Sequence, residues 1–428
     1  MGIFTSILVS RILGPSDRGV YFMVAAVNFM LVNIGNLGIG NANSYLLAKK
    51  KYSLSEVNAN SLIMAVILGI AITLVYVMFH NPLNTYVLKG IDHRYVLVAI
   101  LLVPFTLYSQ FWSAMLVGLN QIILLNKFNI IFSMCNVVLT ILVLVILKLG
   151  ITGMILLMIL TAIISAVVRL FIIKRQTSIK FLFKLRLFKE ALSFALRGHI
   201  GSMFGVIWNK LDFFIVNSYI GIASVGQYSL SRGIAEKVNF ISTPLMTAIN
   251  PRITGDARED SKRLTMQATR HTIFIMVLII IAGLISAKWL IPFLYGEEYY
   301  PAVKPFMLVI IGTAVLRIGL FVSHYILGQL GKPEWNSALA LIAPTIAIPL
   351  AFILIPKIGI IGAAISFTAA CIIDVFASFV VFAKITKCKL RDTLIIKLSD
   401  FKVYHNLVLQ VKSLLLDLPR HNSSIIVH

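Results

Sequence analysis

Ser229, Arg232, Glu236, Asn239, Thr243 and Asn250 recur at spacings of three, four or seven within a mostly apolar stretch, so on a helix they share one face. An arginine in such a stripe can grip a phosphate through its planar fork of donors, an acid can bind a coupling cation, and amides and hydroxyls can hydrogen-bond sugar. The same residues admit another reading, in which Arg232 and Glu236, four apart, neutralise each other as a buried structural pair. Lys210, Asp212, Lys237, Arg317 and Asp374 also lie within apolar runs. A charge at the centre of a membrane helix costs about 2.5–3.5 kcal/mol on insertion scales, so such residues tend to face protein or water.

Milder stripes are Asn129, Ser133, Asn136 and Thr140; Thr161, Ser165 and Arg169; and Ser366, Asp374 and Ser378. They suit cavity lining or the packing of membrane helices through small polar side chains. His199 and His324 could titrate near neutral pH, or serve as hydrogen-bonded packing residues. Neither has a second ligand at metal spacing. The chain has no HExxH, CxxC, Walker-type loop or catalytic-triad pattern, so the expectation is a non-enzyme without metal or cofactor. Any work would then draw on an ion gradient, the membrane potential or the substrate's own gradient.

The elements that position these residues follow from composition. The 428 residues are 59% hydrophobic and 13% charged, with mean hydropathy +0.93, a balance that would leave uncovered apolar surface in water. Apolar runs near the roughly 20 residues needed to cross a bilayer recur throughout. They fall near 1–12, 20–46, 58–79, 95–118, 126–147 and 152–173, then near 198–219, 225–249, 271–294, 303–328, 336–355 and 360–383. The net charge of +22 does not point to nucleic acid, because the cations sit between apolar runs instead of along a basic face. Cys135, Cys371 and Cys388 imply no disulfide framework, and no cleavable signal peptide is evident.

Basic clusters follow even-numbered spans: Lys49 to Lys51, Lys174 to Lys189, Arg252 to Arg263, and the tail after Lys384. Segments after odd-numbered spans hold scattered cations such as Arg18, Lys89, Arg94 and Lys148. The positive-inside rule therefore predicts cytoplasmic basic loops and a cytoplasmic carboxy terminus.

The chain also repeats itself. Gly14-x4-Gly19-x-Tyr21 returns as Gly221-x4-Gly226-x-Tyr228 at an offset of 207. Lys148-Leu149-Gly150-Ile151-x-Gly153 returns as Lys357-Ile358-Gly359-Ile360-x-Gly362 at 209, and Gly118 and Asn126 match Gly328 and Asn336 at 210. The expected fold is an all-α membrane protein of about twelve transmembrane helices, in two parallel six-helix repeats around a central cavity. The predicted divisions are an amino-terminal bundle (1–173), a basic cytoplasmic linker (174–197) able to form an amphipathic surface helix, a carboxy-terminal bundle (198–384), and a cytoplasmic amphipathic tail (385–428). The first span reads as short: residues 3–13 reach only about 16 Å as a helix. The repeat therefore predicts either a longer natural chain or an abnormally short first span.

The segments SRILGPSDRGVY, NKLDFFIVNSYIGIASVGQYSLS, INPRIT and LYGEEYYPA resemble bacterial O-antigen and capsule repeat-unit flippases. That superfamily also holds peptidoglycan lipid flippases and multidrug antiporters. The likeness runs from Ile3 to Lys384, and its most specific piece is the opening motif of Arg11, Leu13, Gly14, Pro15, Gly19 and Tyr21. It implies two six-helix bundles that alternate access across the bacterial inner membrane, carrying a polyprenyl-pyrophosphate-linked oligosaccharide while its lipid tail stays in the bilayer. Glycan polymerase or glycosyltransferase partners would fit. On that reading Arg11, Lys210, Arg232, Lys237 and Arg317 are candidate cavity cations for the pyrophosphate. Asp212, Glu236 and Asp374 are candidates for ion coupling or charge pairing, and Asn239, Thr243, Asn129 and Asn136 for cavity polarity. A drug antiporter of the same superfamily is the first rival, although it would favour acids over cations; a non-transporting scaffold for glycan assembly is the second.

Overall fold

A computed structural model describes residues 2–178, 183–255, 257–329, 338–339, 341–397 and 400, and all regular structure among them is helical. The chain divides into two compact units. The first holds Met1–Val238, Ile280–Thr313 and Ser337–Asp374; the second holds Asn239–Ile279, Ala314–Asn336 and the chain from Val375 onward.

In the first unit α1 (Ile3–Gly35), α2 (Ile39–Ala48), α3 (Leu54–Pro82), α4 (His93–Leu101), α5 (Val103–Gly118), α6 (Ile122–Ile141) and α7 (Gly150–Gln176) precede α8 (Leu185–Tyr219) and α9 (Ile222–Ala235). Ser53 caps α3 in a box with Glu56, each side chain bonded to the other's backbone N–H, which satisfies donors at a helix start. Helix α5 carries much of the core: Leu107, Phe111, Trp112, Met115 and Leu116 are wholly enclosed. Helix α6 is the opposite. Ile130, Ile131, Met134 and Val138 each stand more than 60% exposed on it, an apolar surface suited to lipid.

Eight helices among the described residues are long and apolar enough to cross a membrane, fewer than the twelve predicted. The difference has identifiable sources. The stretches read as the first two spans meet at a kink at Gly14, where the backbone leaves helical dihedrals, and count together as α1, with the second running on through α2. Helix α8 carries Lys210 and Asp212 within its apolar part and is not among the eight, while α9 at 14 residues and Ile342–Ile358 at 17 are shorter than a span. Residues 330–337, at the start of the predicted eleventh span, lie outside the described residues, and with them Asn336 of the repeat.

The two glycine motifs meet inside this unit. Gly14 (φ 68°, ψ 178°) and Gly221 (φ 110°, ψ 174°) take backbone conformations open to glycine, and each sets the chain into the helix that follows. Gly19 and Gly226 then bring α1 and α9 into backbone contact. A Cβ on Gly19 would overlap the Ile222 carbonyl oxygen, and a Cβ on Gly226 would overlap that of Pro15. Each would also stand 3.1 Å from the other glycine's nitrogen. The contact is thus reciprocal, with Pro15 and Ile222, like Gly19 and Gly226, separated by the offset of 207.

From Leu185 onward the basic segment before the seventh predicted span is part of α8, which runs unbroken to Tyr219. Its apolar positions Leu187, Ala191 and Ala195, four apart, are buried, with Ala191 and Ala195 packed against Ala42 and Leu46 of α2.

The second unit contains α10 (Asn239–Gly255) and parts of α11 (Arg258–Tyr295), α12 (Val303–His324) and α14 (Ile360–Thr386); α13 (Ile342–Ile358) belongs to the first. In the tail α15 (Leu390–Leu394) leads to Asp400, whose carboxylate takes a two-pronged bond from Arg270, Nε at 2.6 Å and Nη2 at 2.9 Å. The Arg270 Nη1 donates to the Asp392 carbonyl at 2.6 Å. Tail residues beyond 400 lie outside the described residues. This bond holds the Asp400 carboxyl below its usual value of 3.8, so docking of this segment is fully supported above that value and lost as pH falls through the lowered one. Hydrogen exchange of residues 390–397 should stay slow at pH 7 and rise in the Arg270→Ala protein at the same pH; equal protection in both would refute a docking role for the Arg270–Asp400 pair.

Candidate functional site

Helices α8 and α9 position the densest set of predicted site residues. Asn209 and Asp212, three apart, share a face of α8, while Tyr228 and Arg232, four apart, share a face of α9. Asp212 Oδ2 accepts from Arg232 Nη1 at 2.9 Å and from the Tyr228 hydroxyl at 2.7 Å, and Oδ1 accepts from the Phe213 N–H at 3.0 Å. Arg232 Nη2 donates to Asn209 Oδ1 at 3.1 Å, and the guanidinium stands 3.6 Å from the centre of the Phe367 ring. Asp212 is 8% exposed and Arg232 3%. The space among Trp208, Asp212 and Phe367 is about 10 Å³, room for no more than a water.

Arg232, expected as an open cation for a head group, therefore stands in a dry seam with its charge matched by Asp212. The i+4 partner Glu236 lies farther off, at 3.9 Å, with its side chain 44% exposed. Lys237 sits in the single 3₁₀ turn Glu236–Val238 that follows.

Lys210, two residues before Asp212, points elsewhere. Its Nζ is 5.3 Å from the ring centre of Phe22, 5.5 Å from Phe29 and 5.3 Å from Phe213, and no carboxylate among the described residues lies within ion-pair distance. Three rings around an ammonium attract it through their negative faces without neutralising it. Leu211, the next residue, and Phe214, one turn on, line an apolar groove of about 500 Å³ together with Met30, Leu31 and Ile34 of α1 and Leu68 of α3.

Arg11 departs from its expected place. Its Nε donates to the Leu294 carbonyl at 2.8 Å and its Nη2 to that of Phe293, so it caps the carboxy-terminal end of α11, where a cation is favourable. Asp374 is half-buried on α14, and on α6 Asn129 is exposed while Asn136 is half-buried. Arg317, Asn239 and Thr243 belong to the second unit: Arg317 and Asn239 are half-buried and Thr243 is exposed. The predicted set is thus not one constellation within either unit. His324 pairs through Nδ1 with the Leu320 carbonyl at 2.9 Å. His199 lies in α8, with its side chain outside the described residues.

The residue reading passed over the rings that shape this site. Phe22 and Phe29 are seven apart on one face of α1, a spacing that could have flagged them, whereas nothing local ties Phe367 to Arg232. Arg18, read as a loop cation, is 9% exposed and donates to the Ser6 carbonyl at 3.2 Å and to the Ser10 hydroxyl.

Apolar spanning helices around a few enclosed charges define a multi-pass α-helical membrane protein, and its fold is that of membrane transporters. The solved "Lipid II flippase MurJ, inward closed conformation" superposes with a TM-score of 0.74 at 18% identity, over 96% of this chain and 89% of that one. The chain belongs to the polysaccharide biosynthesis protein family, which it matches over residues 8–304. It is 23% identical over 386 residues to a "Putative O-antigen transporter" of Shigella flexneri, covering 86% of this chain and 90% of that protein. A "Capsular polysaccharide biosynthesis protein CapF" of Staphylococcus aureus is 21% identical over 396 residues, covering 89% and 94%.

Proposed function

We propose that this transporter is a flippase for polyprenyl-pyrophosphate-linked oligosaccharide repeat units of an O-antigen, capsule or similar glycan. It moves them from the cytoplasmic to the outer leaflet of a bacterial inner membrane by alternating access. The observation that carries the reading is Lys210: a cation within an apolar run, with no carboxylate in ion-pair reach among the described residues, whose sequence neighbour Leu211 lines an apolar groove. A pyrophosphate supplies the missing anion, and an isoprenoid chain suits a groove lined by leucine, isoleucine and phenylalanine. An antiporter of organic cations would need an open acid there. Asp212 is instead matched by Arg232 and Tyr228.

Lys237 and Arg317 are further head-group cations in this proposal, Asp374 and Glu236 the candidates for a coupling ion, and Asn239, Thr243, Asn129 and Asn136 its polar lining. Arg232 and Arg11 hold the scaffold. The reciprocal contact of Gly19 and Gly226 supports two parallel six-helix repeats, as the offset of 207 implies. The basic loops support a cytoplasmic carboxy terminus, and a glycan polymerase or glycosyltransferases would be natural neighbours.

In a strain lacking its own flippase, wild-type protein is expected to restore surface polysaccharide. Lys210→Gln should lower it about tenfold or more, and Lys210→Arg should retain much of it, since a bond to an ionised group contributes about 1.5–3 kcal/mol. Full rescue by Lys210→Gln at equal protein level would remove Lys210 from the site.

A further inference from the structure

Arg169 of α7 is 8% exposed, and among the described residues no carboxylate lies within ion-pair distance of it. Of the other buried arginines, Arg232 and Arg270 each face one, Asp212 and Asp400, whereas Arg18 donates to the Ser6 carbonyl and the Ser10 hydroxyl. Arg169 has hydroxyls and rings instead. Its Nη1 donates to Ser109 Oγ at 2.8 Å and to Ser165 Oγ, and its guanidinium stands 4.5 Å from the ring centre of Phe128 and 5.2 Å from that of Trp112. Its Nε has no partner. Hydroxyl oxygens and ring faces orient a guanidinium and soften its desolvation, but they leave its charge unmatched.

The group lines a pocket of about 360 Å³ with Asn36, Asn41, Ser109, Gln110 and Ser113. This lies within the roughly 300–1,000 Å³ of small-molecule sites. Gly40 and Ala114 complete the lining, whose other polar groups are amides and hydroxyls, with no acid among them. Asn36 is fixed by donating to Gln110 Oε1 at 2.6 Å and accepting from the Gly40 N–H at 3.1 Å. The Gln110 amide nitrogen has only a long contact of its own, 3.5 Å to Asn33 Oδ1. A fixed cation beside oriented amides is the chemistry that recognises a phosphorylated sugar: the guanidinium takes phosphate oxygens, the amides take ring hydroxyls, and an organic cation finds no counter-charge.

We propose that this pocket of the amino-terminal helices is a binding site for the diphosphate and first sugar of a lipid-linked glycan, with Arg169 as its anion-binding residue. The proposal rests on the flippase reading and adds to it a head-group site apart from Lys210.

The test uses full-length protein in phosphatidylcholine nanodiscs. The probes are farnesyl-diphosphate-linked N-acetylglucosamine and the same sugar on a farnesyl ether, which has no phosphate. Arg169→Gln is expected to weaken binding of the diphosphate probe about tenfold or more while leaving the ether unchanged, and Arg169→Lys to fall between. Equal binding of the diphosphate by Arg169→Gln and wild type, or equal loss of both probes, would overturn the proposal. So would phosphatidylglycerol in the disc lowering wild-type binding as far as the substitution does, because bulk lipid head groups would then be the occupant. Should Arg169→Gln not fold, Gln110→Met carries the test, with a loss of sugar-dependent affinity expected and none refuting it. Failure of wild-type protein to bind the diphosphate probe at all would count against the flippase reading itself.

Discussion

Arg232→Met alone is expected to lower stability by about 3–5 kcal/mol, among the largest effects of any single substitution in this chain. The loss comes from what remains: Asp212, 8% exposed, would keep the Tyr228 hydroxyl and lose its counter-charge. Pairing Arg232→Met with Asp212→Asn should recover much of the loss, because the amide oxygen still accepts from Tyr228 and no buried charge is stranded. Unfolding of wild type and the two variants in one detergent measures this. A destabilisation under about 1 kcal/mol for Arg232→Met, with transport abolished in well-folded protein, would return Arg232 to the substrate path.

Gly226→Ala is expected to part α1 from α9. The new methyl meets the Pro15 carbonyl oxygen, a backbone atom that cannot rotate aside, and Gly19→Ala meets that of Ile222 in the same way. Overpacking typically costs about 1–3 kcal/mol, and a rigid backbone neighbour should place each variant at the upper end or beyond. The two together should cost less than the sum of the singles, since helices already separated for one methyl accommodate the other. Additive losses would show that the glycines act at independent contacts. Ala at Gly233, which has open space around it, is the control and should change little.

Much of the architecture was legible because the bilayer imposes it locally. Long apolar runs with cations confined between them mark helices in lipid, and the exposed isoleucines of α6 are ordinary there. Reading failed where apolar runs and helices stop corresponding. The first two predicted spans join at a kink at Gly14, and the part of the predicted basic linker from Leu185 onward runs without a break into the seventh predicted span as α8. Within the site, Lys210 and Asp212 were found as intramembrane charges, but their partners were not, since a charge stripe shows which residues share a face and nothing of what lies opposite.

The amino-acid sequence by itself determined the solvent, the helical class, the recurrence of the glycine motif and the short list of enclosed charges. These follow from composition and spacing along a single element. Tertiary structure alone decided which charges are matched: Arg232 turns to Asp212, 20 residues away, before Glu236 one turn on, Arg11 goes to the end of α11, and Arg169 meets only hydroxyls and rings. Ion pairing depends on distances of a few ångströms between different helices, and no periodicity within one helix encodes them.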